Sequence, residues 1–329
     1  MLVALAVVSG NYNCNLNLIG FISLSFMLNL KYFKCLLFLV CCCSNCETAA
    51  QSVSLYVYPP AHPYRWRHPH SLLVSTIRNY YFSPRQKPVR LIGHMVIELK
   101  NDSSTTLTAI ESDDIAVLSK AIKKEKIGLG VFFKPVPGHL EKNGVLQAEL
   151  DNRILESKAA FITFKISDSA YQYLMLYVDS FKLRGYDKLY NGLNSPRTGE
   201  GSGCTAYGIS FLELINALDP EYTKHWAVKA QVPEKLIGDG KKKVSIWRIF
   251  FSFHWARKNE PSRYLQLYEP YLVYQWIHSV HASEQANPTG KYQLKMNGKV
   301  KGLEVNCIPC IPQYPRFLSN TVVQNLKHQ

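Results

Sequence analysis

A cysteine that follows a glycine-rich turn is the residue of this chain best suited to covalent chemistry. The stretch TGEGSGCTAYGISFLELINAL, residues 198–218, places three glycines and a serine before Cys204, and helical apolar spacing follows it. The sequence therefore predicts a thiol at a helix N-terminus. Unpaired N–H groups there lower the pKa of a thiol and would stabilise an oxyanion beside Gly203 and Thr205. The same pattern also fits a cysteine that only packs into the core.

A histidine in an alternating strand is the candidate general base for this thiol. The segment VRLIGHMVIELK, residues 89–100, places His94 and Glu98 on one face and Met95 on the other. A histidine within an apolar strand needs either a hydrogen-bond partner or a function. Three candidates could orient its ring: Glu98, which lies about 13 Å further along the strand, His139 in a later turn, or a loop asparagine. The sequence does not choose among them.

The order of these two motifs, histidine strand first and cysteine helix second, resembles the circularly permuted papain-like superfamily. This superfamily includes permuted cell-wall amidases, lecithin:retinol acyltransferase-like proteins and bacterial lipoprotein transacylase-like proteins. GHMVIEL is similar to its histidine strand, and GSGCTAYGISFLEL is similar to its cysteine helix. The resemblance implies an α+β fold, with a central antiparallel sheet and flanking helices around a permuted papain-like core. It also implies an acyl-enzyme on Cys204, with His94 as base and then acid.

The remaining histidine and cysteine pairs do not reach the ligand number of a metal site. A structural zinc site needs four ligands, and each pair lacks a second pair at ligand spacing. Solvated histidines are therefore favoured, and CIPC is expected to form either a short-loop disulfide or two free thiols. We predict neither a metal nor a cofactor. The pairs are His68 with His70, His278 with His281, and Cys307 with Cys310.

The composition is that of a basic, well-packed protein. The chain has 329 residues, of which 47% are hydrophobic, and a formal net charge of +14. This hydrophobic share excludes a disordered chain, and the positive charge suits anionic partners. Because the charge is dispersed and no nucleic-acid-binding motif is present, we expect no nucleic-acid partner.

The first fifty residues differ in character from the rest. They contain six of the nine cysteines, and Lys31 and Lys34 precede a short apolar run, residues 35–43. This pattern predicts an export signal cleaved after Ala50, or a lipid anchor on a cysteine within residues 41–46. Any membrane association would then go through this N-terminal segment, and the protein would be periplasmic or attached to the cell envelope.

The predicted organisation has three parts. Residues 1–50 are a signal or anchor, residues 51–220 a papain-like catalytic core, and residues 221–329 a C-terminal α+β extension that packs on the core. We expect an exported cysteine-dependent hydrolase or acyltransferase that acts on an anionic envelope component, either a peptidoglycan peptide or a lipid acyl chain. The alternative is a non-catalytic envelope protein that retains the papain-like core for binding or for structure.

Overall fold

Segments with apolar residues on both faces form a mixed six-stranded sheet at the centre of the molecule. The computed structural model describes residues 51–83, 90–113, 120–193, 195–239 and 241–319. The predicted signal or anchor, residues 1–50, lies outside these ranges. The strands are β1 (Ser52–Tyr58), β2 (His94–Lys100), β3 (Thr105–Thr108), β4 (Ile110–Ser112), β5 (Val136–Leu140), β6 (Ala160–Lys165), β7 (Leu189–Tyr190), β8 (Ala227–Pro233), β9 (Ser262–Tyr268), β10 (Gln293–Asn297) and β11 (Val300–Asn306).

The helices cover both faces of the sheet and connect its strands. They are α1 (Pro69–Phe82), α2 (Asn143–Leu155), α3 (Asp168–Leu183), α4 (Cys204–Leu214), α5 (Pro220–Trp226), α6 (Ile246–Phe250) and α7 (Pro270–Ala286). Within the described ranges, no helix combines the length and the apolar character needed to cross a bilayer.

The strand order of the central sheet is β10-β11-β6-β1-β2-β3. The α+β class is confirmed, but the expectation of an antiparallel sheet is wrong for one pair, because β11 runs parallel to β6. A parallel pair needs a long crossover connection, and the segment between these strands, which includes α7, supplies it. β10 and β11 belong to the predicted C-terminal extension, so the sheet continues across the boundary expected at residue 220.

Side-chain alternation in the strands divides the core into two layers. Leu55 of β1 and Ile97 of β2 face a large cluster that includes Tyr177 of α3 and Phe211 of α4. The alternate residues face a smaller cluster that includes Leu146 of α2. Helices therefore lie against both faces of the sheet.

Two smaller sheets are separate from the central one. β4, β5 and β7 form a three-stranded sheet, and β8 and β9 form a two-stranded one. Of the two states expected for the CIPC cysteines, the structure has the disulfide between Cys307 and Cys310.

Candidate active site

His94 is the first residue of β2, where it pairs with Tyr58 at the end of β1. Its ring is 2% exposed. Nε2 lies 2.7 Å from Oε1 of Glu141, the residue that directly follows β5. The backbone N–H of Glu141 donates to the carbonyl of Ala109, which fixes the position of this carboxylate. Nε2 of His94 is thereby engaged, and Nδ1 is the ring nitrogen left for another partner.

Glu98 does not orient His94, and this expectation from the sequence is wrong. Glu98 lies opposite Ser54 on β1, four residues along the strand from His94, and it interacts with Ser54 and Lys100. An extended strand separates residues i and i+4 by too great a distance for their side chains to meet directly. His139, the second candidate, forms an exposed pair with Asp113, with 2.6 Å between Nδ1 and Oδ1.

A buried arginine holds the carboxylate of Glu141. The Arg90 guanidinium lies 2.6 Å from Glu141, 2.6 Å from Glu149 of α2 and 2.7 Å from Glu111 of β4. Burial acts to raise the pKa of Glu141, but its hydrogen bond to His94 and the charges of His94 and Arg90 prevail and lower it to about 2. Glu141 is therefore ionised at neutral pH, and it accepts the Nε2 proton of His94.

Cys204 is the first residue of α4, and Gly203 is the N-cap. The predicted helix start is therefore confirmed. A Cβ at Gly203 would lie 2.7 Å from Cα of Gly192, so only glycine lets the two backbone segments approach this closely. A Cβ at Gly208 would lie 2.3 Å from Sδ of Met95. The absence of a side chain at Gly208 lets α4 lie directly against β2, which carries His94.

The structure brings Cys204 and His94 close enough for each group to shift the pKa of the other. Burial acts to raise the pKa of Cys204, but the charge of His94, its hydrogen bond and a backbone N–H from Met95 lower it to about 7. Burial and the charge of Arg90 act to lower the pKa of His94, but Cys204 and the hydrogen bond to Glu141 raise it to about 9. Because the pKa of the Cys204 thiol is lower than that of the His94 imidazolium, the thiolate–imidazolium form is favoured near neutral pH.

Two hydroxyl groups lie against the sulfur. Tyr190 of β7 donates to Sγ of Cys204 across 3.9 Å, and the Thr205 hydroxyl lies 3.8 Å from Sγ. Burial and the neighbouring Cys204 raise the pKa of Tyr190 well above its ordinary value, so its hydroxyl stays protonated and able to donate. The Cys204 residue is 3% exposed. The sulfur therefore lies in an environment that excludes most water.

Three residues of this site were not found by sequence reasoning: Arg90, Glu141 and Tyr190. Arg90 carried one signal, because it is a charged residue four positions before His94 in a largely apolar segment. No signal in the sequence indicated Glu141 or Tyr190, because their proximity to the dyad depends on how β4, β5 and β7 pair.

The described residues contain no group of three or more potential metal ligands in one place. The His68 and His70 rings lie 5.9 Å apart, and both contact Phe253. The ring of His278 contacts that of Tyr274, with 4.4 Å between the ring centroids. These histidines contact aromatic rings in the structure.

Comparison of the chain with protein-family models, curated proteins and solved structures finds no match in any of the three. The resemblance to permuted papain-like proteins therefore rests on the two motifs, and the family remains a prediction.

Proposed function

We propose that this protein is a cysteine-dependent hydrolase or acyltransferase that forms an acyl-enzyme on Cys204. The observation that carries the proposal is the 2.7 Å contact between His94 and Glu141, together with the lowering of the Cys204 pKa by the neighbouring His94. A nucleophile, a base and a group that orients the base are the three parts needed for nucleophilic acyl transfer.

In the proposed reaction the Cys204 thiolate attacks the carbonyl carbon of the substrate and forms a C–S bond. The carbonyl electron pair moves onto oxygen, and the tetrahedral intermediate collapses as the imidazolium of His94 gives its proton to the leaving group. Water, an amine or a hydroxyl then attacks the thioester while His94 takes its proton. Collapse of this second intermediate breaks the C–S bond and regenerates the thiolate.

The N-terminus of α4 supplies donors for the oxyanion. The first N–H groups of a helix have no intrahelical acceptor, so those of Cys204 and Thr205 are suited to a negative oxygen beside the sulfur. The Tyr190 hydroxyl, already directed at Sγ, is a third donor on the same side. Gly203 serves as the turn that brings these groups together.

The charge distribution accounts for the order of proton transfers. Glu141 is ionised and accepts from Nε2, so it stabilises the imidazolium that forms when Cys204 loses its proton. Arg90 keeps this carboxylate charged although it is buried. The proton therefore moves only between Cys204, His94 and the reacting groups.

We place this activity on an exported, envelope-associated protein with a permuted papain-like core. The basic charge of +14 and the N-terminal signal pattern support an anionic envelope substrate, either a peptidoglycan peptide or a lipid acyl chain. The second candidate function is a non-catalytic envelope protein in which Cys204 only packs. The low exposure of Cys204, 3%, is the observation that favours it.

Thiol alkylation separates the two functions. Full-length protein is treated with iodoacetamide near neutral pH, and the rate at Cys204 is followed by peptide mass spectrometry. The proposal predicts that His94→Ala slows labelling of Cys204 by about a hundredfold, because the thiolate loses its counter-ion. His139→Ala is the matched control, since this histidine is exposed and pairs with Asp113. If Cys204 is labelled at the same rate in the parent protein, His94→Ala and His139→Ala, the result would favour a cysteine that only packs.

A further inference from the structure

Helix α6 and the residues that follow it expose several aromatic side chains, none of which belongs to the candidate active site. We call the side chains of Ile246, Trp247, Phe251 and Phe253 the α6 surface. Trp247 is 63% exposed, Phe251 67% and Phe253 57%. Large aromatic side chains are normally buried, so several of them exposed within eight residues need an explanation.

Ring contacts join these side chains into one continuous patch. Trp247 stacks on Phe251 with 6.3 Å between ring centroids, and both rings contact Phe250. The ring centroids of Phe250 and His70, which belongs to α1, lie 4.6 Å apart. Those of His70 and Phe253 lie 4.7 Å apart. The exposed rings are therefore neighbours in space as well as in sequence.

The backbone beneath the patch is fixed, so these rings are presented to solvent by the fold. Ser245 caps α6 by accepting from the Arg248 N–H, and Ile249 is buried. The backbone N–H of His70 donates to the Ser252 carbonyl at 2.9 Å. Nε1 of Trp255 donates to the Trp66 carbonyl at 2.8 Å. Ile249 packs inward, whereas the rings of Trp247, Phe251 and Phe253 remain more than half exposed despite their contacts with one another and with His70.

The same segment is strongly basic. Residues 241–258, KKKVSIWRIFFSFHWARK, contain six lysines and arginines and no aspartate or glutamate. Lys243, Arg248, Arg257 and Lys258 are exposed, and no salt bridge in the described part of the chain involves them. The nearest acidic residue that follows, Glu260, pairs with Lys235 instead. Within the described ranges, the segment that carries the aromatic patch therefore also carries basic side chains that form no salt bridge.

We propose that the α6 surface docks on an anionic lipid bilayer. Aromatic side chains bind at the boundary between headgroups and acyl chains, while lysine and arginine bind the negative headgroups. Exposed tryptophan and phenylalanine beside unpaired basic residues have both properties. This contact is separate from any contact through residues 1–50, and it does not depend on whether Cys204 is catalytic.

Vesicle flotation of the full-length protein tests the proposal. Binding to phosphatidylcholine vesicles that contain phosphatidylglycerol is expected, with weaker binding to phosphatidylcholine alone and a loss of affinity as salt rises. The double variant Trp247→Ser, Phe251→Ser should weaken binding by about tenfold or more. Arg248→Gln should weaken binding only to the anionic vesicles, by about fivefold. Leu183→Ser is the matched control, because Leu183 is 89% exposed on another helix.

Quenching of Trp247 identifies this surface independently of the apolar N-terminal segment. Brominated lipids quench only tryptophan that enters the bilayer, so quenching should fall sharply in Trp247→Phe, which keeps an apolar ring and still floats with the vesicles. Flotation that is unchanged by the double variant, or quenching that is unchanged by Trp247→Phe, would overturn the proposal. Binding to single-stranded DNA with no binding to either vesicle would also overturn it, in favour of a nucleic-acid surface.

Discussion

Nε2 of His94 lies 2.7 Å from Oε1 of Glu141, although 47 positions separate the two residues in the chain. This contact fixes which ring nitrogen faces Cys204, and it places a negative charge behind the imidazole. Because Arg90 binds the same carboxylate, the base of the candidate dyad is held by a buried ionic network.

Glu141→Gln should shift the pH dependence of thiol reactivity. Glutamine keeps an oxygen near Nε2 but removes the charge that stabilises the imidazolium, so the pKa of His94 falls and that of Cys204 rises. The midpoint of the rise in iodoacetamide labelling, expected at about 7 in the parent protein, should increase by about one pH unit. Glu98→Gln is the control and should leave the midpoint unchanged. An unshifted midpoint in Glu141→Gln would remove this carboxylate from the mechanism.

Arg90→Met should destabilise the fold by about 3–5 kcal/mol, because it removes the cation that lies 2.6 Å from each of the buried carboxylates of Glu141 and Glu149. The free energy of unfolding from urea titration measures this loss. Lys235→Met, which breaks the more exposed pair with Glu260, should cost at most about 1 kcal/mol. Equal effects of the two substitutions would contradict the role assigned to the buried network.

The ionisation of Glu141 should also make stability fall in acid. Its pKa is lowered to about 2 in the folded protein, below the ordinary value of 4.5. The stabilisation is therefore fully present above pH 4.5 and is lost as the pH falls towards 2. The difference in unfolding free energy between the parent protein and Glu141→Gln should shrink across this window. A constant difference would show that folding does not lower the pKa of Glu141.

Gly208→Ala should lower the melting temperature, because its Cβ would lie 2.3 Å from Sδ of Met95. Overpacking of this kind costs about 1–3 kcal/mol. Gly208→Ala should also slow iodoacetamide labelling of Cys204, since α4 must move away from the strand that carries His94. Gly144→Ala in α2 is the matched control: nothing lies within 4 Å of its Cβ position, and alanine favours a helix by about 1 kcal/mol. A melting temperature unchanged by Gly208→Ala would contradict the tight packing of α4.

Tyr190 should control access to the sulfur. Because Cys204 is 3% exposed and Tyr190 lies against Sγ, iodoacetamide should label the parent protein faster than a bulky pyrene maleimide does. Tyr190→Ala should reduce the ratio of the iodoacetamide rate to the pyrene maleimide rate. Tyr190→Phe preserves the ring and should leave this ratio nearly unchanged. If all three proteins show the same ratio of rates, another element limits access.

Local patterns were sufficient to predict the two elements that carry the dyad. Glycines followed by helical spacing predicted a helix that begins at Cys204, and alternation predicted the strand that carries His94. These predictions succeeded because helix starts and strand periodicity depend on residues that are neighbours in the chain.

The sequence by itself therefore determined the candidate nucleophile, the candidate base and the elements that carry them. Only the tertiary structure decided that Glu141, rather than Glu98, orients His94, that Arg90 and Tyr190 complete the site, and that β11 runs parallel to β6. The physical reason is that strand pairing brings together residues far apart in the chain, whereas an extended strand keeps Glu98 away from the histidine on its own face.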